Sequence, residues 1–196
     1  GLLSSLDQVM NATEGGQHAS VLLVADPGMG STSLLAYACD SARRRGWTVA
    51  QASAPDGASE ISLALVHDLV HSLRTAGDRR AVQNPVAALQ VHDDECEVGP
   101  ASTILRDLVA EASLQRPVLV AIDDLQSADE DSLAVLSLAT GRMPGTRSMV
   151  VAAARPAAAA DPRLATWQRL DLGPLDERDA IILLRQSLGE PLDATQ

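Results

Sequence analysis

Residues 21–35, VLLVADPGMGSTSLL, decide the fold. A run of apolar β-formers enters a Pro/Gly turn, and a helix rich in small residues leaves it. That is the layout of a phosphate-binding loop, in which a buried strand delivers the chain to a glycine-rich bend. Successive backbone N–H groups there, with the free N-terminus of the next helix, can surround a phosphate. The cradle runs through Pro27, Gly28, Met29, Gly30, Ser31, Thr32 and Ser33. Gly28 and Gly30 suit it because a side chain would keep phosphate oxygens off the amides. Thr32 stands where such loops place the hydroxyl that binds Mg²⁺. The full pattern is G-x-x-x-x-G-K-[ST], and here Ala25 replaces the first glycine and Ser31 the lysine. The loop is present but incomplete.

Outward from the loop, strands alternate with helices. Helices are expected over residues 2–14, 32–45, 61–74, 101–114, 132–139 and 177–188, and strands over 19–24, 47–52, 117–122, 149–154 and 168–172. Apolar residues at helical spacing mark the helices, and continuous apolar runs mark strands covered on both faces. Residues 77–100 are the least regular, and the alanine run 157–160 is expected to be a loop. The alternation implies an α/β fold with a parallel sheet and ligands at the carboxyl ends of its strands. With 196 residues the chain can make one domain around one sizeable core.

Composition narrows the partners. The net charge of −11 argues against gripping a nucleic-acid backbone, and no lysine occurs anywhere, so all fifteen basic residues are arginine. No lysine elsewhere in the chain can therefore stand in for the one missing at Ser31, and an arginine fork is not a lysine point charge. Apolar runs are strand-length, too short for a membrane span. Two cysteines, Cys39 and Cys96, and no signal-peptide pattern fit a reducing cytoplasm.

The second site is VLVAIDDL, residues 118–125. A buried strand ending in two carboxylates calls for a reason, since unpaired buried charge is costly. Alone, the pair could cap a helix or sit in a solvated turn. After a phosphate loop at this distance, magnesium is the better reason: Asp123 would hold the ion through water and Asp124 would polarise an attacking water. Arg155, at the end of the strand 149–154, could sense a γ-phosphate or stabilise transferring charge. In isolation, a surface arginine before Pro156 would be the preferred reading. His67 and His71 have ligand spacing but share a polar helix face with Asp68, and the cluster His92 to Cys96 lacks a second set of ligands. Arg43, Arg44 and Arg45 suit a helix C-terminus through its dipole.

Together these stretches resemble the N-terminal nucleotide-binding domain of the large ATP-binding regulators of the LuxR family, in the STAND class of P-loop NTPases. The resemblance runs over nearly the whole chain: LLSSLDQVM, VLLVADPGMGSTSLL, LALVHDLVHSL, GPASTILRDLVAEAS, RPVLVAIDDLQSADEDSLAVL, VVAAARP and LDLGPLDERDAIILL. It implies a three-layer P-loop core of about five strands in the order 5-1-4-3-2. It also implies ATP or ADP with Mg²⁺ as ligand, Arg155 as sensor arginine and Pro174 near the adenine. Bound nucleotide would switch a multidomain protein between closed and oligomerising states, with promoter binding by a separate C-terminal element. The abrupt apolar start and the absent Val-Gly-Arg leader suggest a piece of that longer regulator.

Against that pattern, losing the lysine removes a charge-assisted contact worth about 1.5–3 kcal/mol. That is about ten- to a hundredfold in affinity, and hydrolysis should suffer further. Ala25 is mild unless its position needs positive φ. The expectation is a nucleotide switch with weakened binding and poor or no hydrolysis. The alternative is a scaffold of the same fold that binds no nucleotide. An active ATPase or small-molecule kinase is the least favoured, because both rely on the lysine.

Overall fold

The computed structural model describes residues 1–54, 62–76, 98–143, 145–173, 179 and 181–183. Five parallel strands, β1 (Ala19–Val24), β2 (Thr48–Ser53), β3 (Val118–Asp123), β4 (Ser148–Ala154) and β5 (Gln168–Asp171), form one sheet in the order β2-β3-β4-β1-β5. Read from the other edge, this is the order 5-1-4-3-2.

Alternation along each strand divides the core in two. Val21 and Leu23 of β1, Leu119 and Ala121 of β3, and Met149 and Val151 of β4 face α1 (Leu2–Glu14) and α2 (Ser31–Arg44). Their neighbours Leu22, Val24, Val120, Ile122, Val150 and Ala152 face the other way, toward α3 (Ala64–Ala76), α4 (Val98–Gln115) and α5 (Glu130–Thr140). Side chains of successive strand residues point to opposite faces, so a sheet apolar at both parities must be covered on both sides. All seven residues of β4 are buried, which only the middle of a three-layer stack allows.

Helices α1 and α2 are clamped by polar side chains as well. The Arg45 guanidinium donates to Asp7 at 3.1 Å and to Asn11 at 2.6 Å and lies 3.6 Å from Glu14, which also accepts from the Trp47 indole. The Tyr37 hydroxyl donates to Asp7. Arg45 thus does more than meet the α2 dipole.

Where element boundaries differ from expectation, local chemistry accounts for it. The third helix starts at Ala64 because Leu63 has φ +61°, a left-handed value no α-helix contains. Its carbonyl still accepts the His67 N–H, and its own N–H goes to buried Asp129 at 2.9 Å. The fourth helix begins three residues early, at Val98, because Pro100 falls in its first turn, where no N–H is needed. The alanine run is not the expected loop. It belongs to a one-turn helix, α6 (Pro156–Ala159), with Arg155 at its N-cap, because proline at the first helical position and alanines after it favour that turn. Residues 55–61 and 77–97, with the acidic cluster, lie outside the described residues, as does most of the expected helix 177–188, of which residues 179 and 181–183 are described and helical. No helix among the described residues is long and apolar enough to cross a membrane.

At the amino ends of the strands sits a closed polar cluster. His18 Nδ1 lies 2.8 Å from the Ser148 hydroxyl and Nε2 lies 3.0 Å from that of Ser20. Thr146 donates to the Met143 carbonyl and lies 2.7 Å from Ser148. Burial holds the His18 pKa below its ordinary value, against the opposing effect of a hydrogen bond to Ser148.

Candidate nucleotide site

At the carboxyl edge of the sheet, Val24 of β1 stands level with Ala154 of β4, and Ile122 of β3 with Ala152. The chain therefore leaves β1 into the glycine loop, β4 into Arg155 and β3 into Asp123-Asp124 at neighbouring points. The register brings together the loop, the carboxylate pair and the arginine.

The loop has the geometry its sequence predicts. Gly28 at φ +82° and Gly30 at φ +87° take left-handed backbone, and a Cβ on either would meet no atom within 4 Å. The space over the bend is thus open. Gly30 is the N-cap of α2, and its carbonyl accepts the Leu34 N–H at 3.0 Å. The N–H groups of Gly30, Ser31, Thr32 and Ser33 have no acceptor among the described residues. Four unpaired donors at the positive end of a helix dipole make a preformed anion cradle. Leu34 and Leu35 directly behind them are buried, so the cradle is set in the core rather than on a loose loop. Ala25 is buried with its N–H on the Ala154 carbonyl at 3.1 Å, and its φ is not positive. The first glycine of the motif is therefore not needed there for its backbone freedom.

The carboxylate pair divides its duties. Asp123 Oδ1 accepts the Asp124 N–H at 3.0 Å, and its other oxygen has no partner among the described residues. Asp124 sits at φ +51°, ψ +42°, with its carbonyl accepting the Ser127 N–H at 2.8 Å. Aspartate is among the residues that tolerate this conformation. It opens a 3-10 turn, Leu125–Ser127, anchored by buried Leu125. Two contributors have no role in the sequence reading beyond lying in the stretch RPVLVAIDDLQSADEDSLAVL that carries the resemblance. Gln126 donates from Nε2 to Asp124 Oδ1 at 2.8 Å and accepts the Arg155 N–H on Oε1 at 3.3 Å. Asp129, buried, caps α5 through the Ser132 N–H at 2.8 Å and holds Leu63 as well. The signal for Asp129 was there, as an aspartate three residues before Ser132 at a helix start. Gln126 carried no such signal, because a glutamine's two-sided bonding has no sequence pattern. Arg155 is exposed and makes no ion pair among the described residues. Pro174 lies outside them.

A family model for the AAA ATPase domain matches residues 1–151, most of the chain. The chain belongs to that family. No curated protein matches it. Among solved structures, this AAA ATPase domain is similar to a chain of Drosophila ORC bound to DNA, with TM-score 0.51, 14% identity and coverage of 89% of this chain and 91% of that one. It is similar also to C. elegans PCH-2, with TM-score 0.51, 12% identity and coverage of 96% and 46%. AMPPCP-bound DnaA from Aquifex aeolicus gives TM-score 0.49 at 16% identity, covering 96% and 52%. The domain thus spans about half the length of the PCH-2 and DnaA chains. At such identities the likeness is one of fold alone.

A magnesium nucleotide fits this AAA ATPase domain in its backbone and oxygen donors. The open space over Gly28 and Gly30 accommodates phosphate oxygens. The Thr32 hydroxyl and the unpaired Asp123 oxygen are hard oxygen donors of the kind that can hold magnesium, directly or through water. Charge is where the fit is poorest, because Ser31 supplies a hydroxyl in place of an ammonium.

Proposed function

We infer that this domain is a nucleotide-responsive switch that binds ATP or ADP with Mg²⁺ weakly and hydrolyses ATP poorly or not at all. The observation that carries the reading is the row of four unpaired N–H groups at Gly30–Ser33, reached from the same carboxyl edge of the sheet that carries Asp123 and Arg155. In this reading the amides from Gly28 to Ser33 hold the phosphates. Thr32 and Asp123 hold magnesium, which supplies charge neutralisation at the phosphates. Asp124 orients water, and Arg155 faces the terminal phosphate from the end of β4. Binding is mostly backbone work and survives the loss of a lysine. Catalysis needs that positive charge on the transferred group and suffers more.

The resemblance to LuxR-type regulators supports placing the switch in a cytoplasmic transcriptional regulator. Its partners would then be the remaining domains and further copies of the chain, and DNA would be contacted by another domain, in keeping with the charge of −11. A second reading, a scaffold that binds no nucleotide and serves oligomerisation or effector contacts, is favoured by Ser31 alone. Calorimetric titration of the domain with Mg-ATP and Mg-ADP separates the two. Saturable binding with Kd below about 1 mM supports the switch, and no heat of binding at that concentration supports the scaffold.

A further inference from the structure

We propose that Gln126 is a positioning residue that ties the Asp124 carboxylate to the first amide of α6, so that the place of Arg155 sets the place of Asp124. The proposal rests on the switch reading above and adds how a terminal phosphate would be reported within the site.

A carboxylate only accepts and a backbone N–H only donates, so the Gln126 amide can satisfy both in one orientation alone: Nε2 to Asp124 and Oε1 toward Arg155. Each end needs it. The Asp124 backbone is fixed on both sides, by its N–H on Asp123 and by its carbonyl under Ser127, so side-chain rotation is the freedom it retains. An exposed carboxylate on such a turn would rotate freely, and the bond at 2.8 Å removes that freedom. Arg155 follows the last residue of β4, where the pairing of β3 with β4 has already ended, and Gln126 takes its N–H.

The two arms are unequal. The bond to Asp124 is charge-assisted and short, and the bond to Arg155 is neutral and at the long end of the range. A shift of Arg155 toward a terminal phosphate therefore breaks the Arg155 arm first. Gln126 stays with Asp124, and the pair, released from Arg155, is free to turn. ATP and ADP would differ at Asp124 although only Arg155 meets the extra phosphate.

Gln126→Leu removes both arms at similar size, and Gln126→Glu keeps the acceptor for Arg155 while setting a like charge beside Asp124. In the nucleotide-free domain, the Arg155 amide should exchange its hydrogen about tenfold faster in Gln126→Leu, as losing one net hydrogen bond implies, and near the wild-type rate in Gln126→Glu. In wild type the affinities for Mg-ATP and Mg-ADP should differ by about threefold or more. Both variants should change that ratio with ADP affinity kept, since Arg155 still meets the extra phosphate while its tie to Asp124 is gone. A merely structural role would weaken both nucleotides in parallel. Unchanged exchange at Arg155 in Gln126→Leu overturns the proposal, and so does an ATP-to-ADP ratio that keeps its wild-type value. Should Gln126→Leu not fold, Gln126→Glu carries the test, since a changed ratio with Arg155 still protected is the expected result and an unchanged ratio is the contrary one. If wild type binds neither nucleotide, the switch reading fails and the coupling fails with it, while slow exchange at Arg155 that Gln126→Leu abolishes would still establish the bond.

Discussion

The Ala25 N–H donates to the carbonyl of Ala154, the last residue of β4, at 3.1 Å, extending the β1–β4 ladder one step past the end of β1. This bond sets the glycine loop beside Arg155. It also explains why alanine is accepted where the motif has glycine, because the position is strand-like and buried.

Ala25→Gly should therefore not improve nucleotide binding. It should lower stability by about 0.5–1 kcal/mol, the cost of a glycine inside regular structure. Denaturant unfolding and a nucleotide titration of the variant check the two halves, and a gain in affinity would count against the structural explanation.

Ser31→Lys should act in the opposite sense. With four amides already open at the cradle, an ammonium at this position should tighten Mg-ATP by about ten- to a hundredfold, from about 1.5–3 kcal/mol. Calorimetry measures it. An unchanged Kd would mean that the loop does not cradle phosphate.

Most of the fold was legible because parallel strands covered on both faces are continuous apolar runs, and because the loop names the strand before it and the helix after it. Leu2–Glu14 and Ala19–Val24 match their expected bounds. What the sequence hid depends on contacts between distant segments. The start of α3 is set by Leu63 reaching Asp129, 66 residues away. The short α6 was obscured because alanines read equally well as loop filler. At the site, the sequence supplied the residue types, and the neighbourhood of loop, carboxylates and arginine follows from the strand order and register. The Gln126 bridge needed side-chain positions.

Asp129 deserves a stability test of its own, since one carboxylate oxygen holds two helix starts. Asp129→Ala should cost about 2–4 kcal/mol, combining a lost cap with a buried Leu63 N–H left unpaired. Asp129→Asn, which keeps an oxygen, should cost less than half as much. Equal losses in urea unfolding would show that charge, not the pair of bonds, matters there.

His18 should give the domain a pH dependence. Thr146 donates to Met143 and so accepts from Ser148, which leaves Ser148 to accept from His18 Nδ1–H. The cluster satisfies a neutral imidazole when Nε2 accepts from Ser20, and burial favours that form by holding the pKa below the ordinary 6.5. Between that lowered value and 6.5 the unfolded chain binds more protons than the folded one. The His18 contribution is therefore complete above 6.5 and is lost as pH falls toward the folded value. His18→Gln should flatten this part of the stability profile between pH 7 and 5, measured by urea midpoints. An identical slope in the variant would assign it to other groups.

The measurement that bears most directly on the central claim is thermal unfolding of the wild-type domain with and without Mg-ATP and Mg-ADP at millimolar concentration. A ligand at a hundred times its Kd adds about 2.7 kcal/mol, and each kcal/mol moves the midpoint of a domain this size by about 2–4 °C. The account predicts an upward shift of several degrees with at least one nucleotide, dependent on magnesium. A midpoint that stays put in wild type while Ser31→Lys responds would contradict the switch and leave a scaffold with an intact but unused cradle.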